Sequence, residues 1–83
     1  GRWDAAVGHY REAERVDPRS VRTIWRLGGA LLYLRRYVEA RGAFDRCLVL
    51  APAHLGSIEY KAMTFLGEGD LSGARAVLAA VPK

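Results

Sequence analysis

Apolar and polar positions alternate along this chain with a helical period, not a strand period. Ile24, Leu27, Gly28 and Leu31 fall at i, i+3, i+4 and i+7, a spacing that puts apolar or small side chains on one side of a helix. Trp3, Ala6, Val7, Tyr10 and Ala13 form a second stripe, and Tyr37, Ala40, Phe44 and Cys47 a third. Pro18 and Pro52 end helices, because proline has no N–H to donate into the preceding turn. Asp70, directly after Gly69, is placed to cap the helix that follows. The pattern predicts five helices, over residues 3–16, 20–34, 37–50, 54–67 and 71–81, with tight turns at Pro18, Arg35–Arg36, Pro52 and Gly67–Gly69. Turns this short make neighbouring helices antiparallel.

Shifted by 34 residues, the sequence falls on itself. Pro18 lands on Pro52, and Ala6 on Ala40 and then Ala74. Trp3, Tyr37 and Leu71 superpose, as do Tyr10, Phe44 and Leu78. Ala13, Cys47 and Val81 make a further row. Ile24 pairs with Ile58, Gly28 with Ala62, and Leu31 with Phe65. The small residues Gly28, Ala40 and Ala74 have a mechanical reason to recur, since helices about 8–10 Å apart need short side chains where their axes come closest. Glycine inside a helix costs about 1 kcal/mol against alanine, so close packing at Gly28 has to offset that loss.

This period and pattern resemble the tetratricopeptide repeat (TPR), a helix-turn-helix unit that stacks into a solenoid. Residues 21–54 carry the resemblance best. Ile24 stands where the family usually has Trp, Leu27 and Gly28 form its Leu-Gly pair, Leu31 stands where Tyr is common, Ala40, Phe44 and Pro52 match directly, and Cys47 replaces the second Ala. Residues 1–20 then read as the second helix of a preceding repeat and 55–83 as a nearly full following one. Lys61 in place of Leu and Leu78 in place of an aromatic depart from the pattern. The resemblance implies an all-α, right-handed superhelical solenoid of antiparallel helix pairs with five helices, and a protein partner as the expected ligand.

Composition narrows the function classes. With 51% hydrophobic and 27% charged residues in 83, the chain is one small folded domain. It has no apolar run near the roughly 20 residues that span a bilayer. It opens with Gly1 and shows no signal-peptide pattern, so the expectation is a fragment of a longer protein. The net charge of +4 and pI of about 9.7 are compatible with acidic partners. The same charge is compatible with nucleic acid, and a basic helical nucleic-acid binder ranks last among the functions considered, because arginines are spread over several faces and interleaved with Asp4, Glu12, Glu14 and Asp45.

Chemistry-bearing residues are few. His9 and His54 have no second His or Cys at ligand spacing, so no metal is expected. Cys47 is alone, falls on a core row and reads as a small hydrophobe. Gly28-Gly29 lies mid-helix without a preceding strand or a following Lys-Ser/Thr, unlike a phosphate loop. Gly67–Asp70 is too short for a calcium loop. No cofactor and no catalysis are expected.

The candidate site is the face opposite the packing stripe. At about 100° per residue, Arg22, Trp25, Arg26, Gly29, Tyr33 and Arg36 centre there, and the next repeat adds Glu59, Tyr60 and Met63, with Gly56 leaving space. In TPR proteins this first helix of each repeat lines a concave groove. Aromatic and Arg side chains are frequent interface hot spots, and Arg pairs bidentately with carboxylates, so the expected ligand is a peptide or protein segment with an apolar anchor and acidic neighbours. The competing expectation is that Trp25 packs on the adjacent helix and the arginines form a solvated face. Some TPR proteins grip a C-terminal carboxylate with Lys, Asn and Arg at set groove positions. This chain has Trp25, Gly29, Glu59 and Met63 there, so that mode is not expected. The apolar ends, with Trp3, Val7 and Tyr10 partly bare at one end and Val77, Leu78 and Val81 at the other, read first as faces that removed flanking repeats would cover and otherwise as surfaces for homo-oligomerisation.

Overall fold

The computed structural model describes residues 1–81. It contains α1 (Arg2–Val16), α2 (Val21–Tyr33), α3 (Tyr37–Leu50), α4 (Leu55–Gly67) and α5 (Leu71–Ala79), and no strand among the described residues. The helices fall where the apolar stripes place them, with small differences at their ends that the caps explain. Ser20 and His54, expected inside helices, sit just before them. The Ser20 hydroxyl accepts the Thr23 backbone N–H at 3.3 Å, and His54 Nδ1 accepts that of Ser57 at 3.2 Å. The Asp70 carboxylate accepts the Gly73 N–H at 2.8 Å, the expected cap. The last helix stops at Ala79, short of the expected residue 81.

The helix C-termini repeat as closely as the N-caps do. After α2 the Arg36 N–H donates to Leu31 O at 2.9 Å, and after α4 the Asp70 N–H donates to Phe65 O at 2.8 Å. Both turns need one left-handed residue. Gly69 supplies it in the second with φ 77°, and Arg35 in the first with φ 60°.

Each helix packs on the next, and α2 also packs on α4. Backbone contact between alternate helices occurs only there: α1 and α3 are joined through side chains. The layer holding α2 and α4 therefore has the shorter spacing, and the array bends toward it. Ile24, Leu27, Leu31, Ala40, Phe44 and Cys47 are buried at the centre. Gly28 lies directly under Phe44: a Cβ there would stand 2.8 Å from the ring's Cδ1. The glycine thus lets α3 approach α2, as its recurrence with Ala62 suggests. Burial pushes the Cys47 thiol above its ordinary range, and its Sγ lies 3.7 Å from Val21 O. It is a core residue and not a thiolate nucleophile.

Ion pairs tie the outer layer. Arg46 bonds Glu14 through two nitrogens, at 2.7 and 2.9 Å, and Arg11 bonds Glu39 at 2.8 Å, so α1 and α3 are linked across the gap between them. Lys61, which replaces an expected Leu, pairs with Asp45 at 2.6 Å. Arg41 packs over the Phe65 ring at 4.1 Å while bonding Glu68 and the Thr64 hydroxyl.

Candidate functional site

Helix α2 dominates the surface at the bend. One turn presents Trp25, Arg26 and Gly29, and the next Ala30 and Tyr33. Together with Trp3 and Tyr10 of α1 and Tyr60 of α4 they line an open groove of about 310 Å³. Its walls are aromatic. Trp3 lies against Tyr33 with ring centroids 4.4 Å apart, and Trp25 stacks on Tyr60 at 5.4 Å. Tyr60 in turn meets Phe44 edge-on at 5.9 Å, which connects the groove wall to the core. Tyr33 remains 65% exposed, so a ligand could cover most of it.

Trp25 has two surroundings. It lines the groove, and it also packs on the adjacent helix. Its indole meets the His54 ring edge-on at 5.7 Å and lies so close to Gly56 that a Cβ there would stand 3.1 Å from the ring. Gly56 was expected to leave room in the groove; the Trp25 indole occupies that room instead. Its Nε1–H is buried and makes no hydrogen bond.

The remaining candidates divide by position. Trp25, Arg26, Gly29, Tyr33 and Tyr60 come together in the groove. Arg22, Glu59 and Met63 are exposed outside its lining. Arg36 is not on α2 at all: the chain turns at Arg35, so Arg36 caps α3 and its guanidinium bonds Glu39 at 2.9 and 2.8 Å. That hydrogen bond holds the Glu39 carboxyl below its ordinary range, with further help from Arg11. The sequence places a turn at Arg35–Arg36, and the helical projection holds only as far as the residue before it. Trp3, Tyr10 and Ala30 belong to the lining but were not foreseen as groove residues. Trp3 and Tyr10 were assigned to an apolar end, and that end and the groove prove to be one surface. The signal lay in the repeat itself: Trp3 and Tyr37 share a register position, and Tyr37 lies on Gly67 as Trp3 lies on Tyr33. Val7, expected to be partly bare, is buried at 5% exposure.

The groove lining carries one charged residue, Arg26. Arg11, Arg15, Arg36, Arg41, Arg46 and Lys61 all have acidic partners. Arg22 and Arg26, one turn apart on α2, have none among the described residues, as is also true of the side chains of Arg2, Arg19, Arg35 and Arg75. No cluster of three or more His, Cys, Asp or Glu that could hold a metal ion occurs among the described residues, and no helix of theirs is long and apolar enough to cross a membrane.

No family model matches the chain, and no curated protein matches it in sequence. Nine chains of solved structure do match. One is MamA of AMB-1, which superposes with a TM-score of 0.90 at 26% identity over 94% of this chain. The fold is a TPR-like helical-repeat solenoid. The match covers 46% of MamA, so the chain spans about half the length of that structure. A TPR-like fold fits a protein-interaction scaffold and generally carries no catalysis.

Proposed function

We propose that the chain is a non-enzymatic scaffold module that binds a protein segment in the groove between α1 and α2. The observation that carries this reading is the combination of exposed aromatic walls with Arg26, a cation that has no acidic partner among the described residues. Aromatic and Arg side chains recur as interface hot spots, and an unpaired guanidinium favours a carboxylate ligand. The bound segment presents an apolar side chain to Tyr10, Gly29 and Tyr33 and an acid to Arg26. Nucleic acid is disfavoured, because acids already neutralise the arginines of the outer layer.

A random-peptide display selection tests this. The control is an Arg26→Glu, Gly29→Leu double variant. A Cβ at Gly29 meets nothing within 4 Å, so a leucine there fills the groove without disturbing the core. The wild type is expected to enrich an acidic, apolar motif that the variant does not retain. Equal enrichment by both would sink the assignment.

A second reading, self-association, has the exposed Leu71 and Leu78 of α5 in its favour. Sedimentation of a Val77→Glu, Leu78→Glu variant decides it: a wild-type oligomer would dissociate, and a monomer in both cases removes this reading.

A further inference from the structure

The N-caps of α2 and α4 occupy the same register position and differ in chemistry. Ser20 caps α2 through its hydroxyl, which accepts the Thr23 N–H at 3.3 Å. His54 caps α4 through Nδ1, which accepts the Ser57 N–H at 3.2 Å. A hydroxyl oxygen accepts at any pH a protein tolerates. An imidazole nitrogen accepts only while it is unprotonated, and histidine is the side chain that changes charge between pH 5 and 8. Protonation reverses the bond: Nδ1–H then donates to the Ser57 hydroxyl, whose Oγ lies 2.8 Å away. The Ser57 N–H is left with its second acceptor, His54 O at 3.1 Å. Ser57 is fully buried, so water does not replace the lost partner. The new charge also lies at the positive end of the α4 dipole.

The surroundings do not neutralise that charge. No ion pair among the described residues includes His54. From α2 the ring meets the uncharged Trp25 indole, and the charged residues next to Trp25 along that helix are Arg22 and Arg26. From α3 the titratable group is the Cys47 thiol, which burial keeps neutral beside Ser57. Within α4 the first acid is Glu59, more than one turn along. On α5 the charged residues are Arg75 and Asp70, the latter at the opposite end of α4.

We infer that His54 is a pH-sensitive cap, whose protonation loosens the Leu55–Ser57 turn and with it the seat of Trp25. The link to α2 is direct. Trp25 lies 3.1 Å from where a Cβ on Gly56 would stand, stacks on Tyr60 and meets the His54 ring. The turn that His54 caps therefore also holds the indole. A partner that needs Trp25 in place is released as the pH falls. The device itself does not depend on what the groove binds.

The test uses the whole chain with His9→Gln, which removes the other imidazole. Its melting temperature is compared from pH 8 to pH 5 with that of the same chain carrying His54→Ser, the cap that the preceding repeat uses. Only the folded state needs Nδ1 unprotonated, so the stabilisation is present at high pH and lost as the pH falls through the ring's titration. The histidine chain is expected to drop by about 4–8 °C relative to the serine chain, the loss of one N-cap in a domain of this size. In NMR spectra of the unsubstituted chain, the Ser57 amide and the Trp25 indole are expected to move with the His54 ring. Parallel melting curves, or a Ser57 amide that does not follow the ring, overturn the inference. A Trp25 indole that stays fixed while the amide moves overturns the link to α2.

Discussion

Gly28 and Gly29 are adjacent in α2 and give opposite answers to the same substitution. Replacing either with alanine removes a mid-helix glycine, which by itself stabilises by about 1 kcal/mol. At Gly29 the new methyl meets nothing within 4 Å, so the full gain is expected. At Gly28 the methyl would lie 2.8 Å from Cδ1 of Phe44, a ring with 0% exposure that is held on every side. Overpacking of this kind costs about 1–3 kcal/mol. The propensity gain is common to both, so the difference between the variants isolates the steric cost, about 2 kcal/mol in the middle of that range. For a domain of this size each 1 kcal/mol moves Tm by about 4–8 °C, so Gly28→Ala should melt about 8–16 °C below Gly29→Ala. Differential scanning calorimetry measures this. Adding Phe44→Leu to Gly28→Ala should narrow the gap. If Gly28→Ala melts at or above Gly29→Ala, the close approach of α2 and α3 is not what makes residue 28 small.

Other consequences can be measured with the same domain. Arg35 holds a left-handed turn that Gly69 holds one repeat later; a non-glycine residue there costs about 1–2 kcal/mol, so Arg35→Gly should raise stability by about 1 kcal/mol in urea titration. Arg41→Ala removes the bonds to Glu68 and to the Thr64 hydroxyl, which keeps its own bond to Lys61 O, and strips a cation from Phe65; a loss of about 1 kcal/mol is expected, which Arg41→Lys should not restore because lysine lacks the planar fork. Glu39 has its carboxyl depressed by the Arg36 hydrogen bond and by Arg11. Its stabilisation is fully present above the ordinary glutamate pKa of about 4.3 and lost as pH falls through the lower folded value. Melting of Glu39→Gln should accordingly depend less steeply on pH below that point than melting of the wild type.

The register of small and large residues made the fold legible: Gly28, Ala40 and Ala74 announce close helix contacts, and all three are buried. Capping at Asp70 was legible too, since its spacing to Gly73 is local. The groove was legible only along α2, where helical projection collects Trp25, Arg26, Gly29 and Tyr33. It failed where position depends on a turn or on a neighbouring helix. Arg36 leaves the face because the projection was carried past the turn at Arg35–Arg36 that the sequence itself predicts, and Gly56 offers no room because the side chain of Trp25, remote in sequence, fills it. Tyr10 and Trp3 join the site only through the crossing of α1 and α2. Trp25 also shows why a binding residue is not a clean probe. Trp25→Ala would remove a groove wall and a strut between α2 and α4 together, whereas Trp25→Phe keeps the stack on Tyr60 and deletes the unpaired indole N–H.

The claim that the α1–α2 groove is the binding surface is tested most directly by titrating the isotope-labelled domain with a display-selected peptide and following its amide and indole resonances. The account predicts shifts concentrated at Arg26, Gly29, Ala30 and Tyr33 and at the Trp3 and Trp25 indoles, with α5 unmoved. Shifts centred on α3 and α5, with the Gly29 and Ala30 resonances unchanged at saturation, would contradict it.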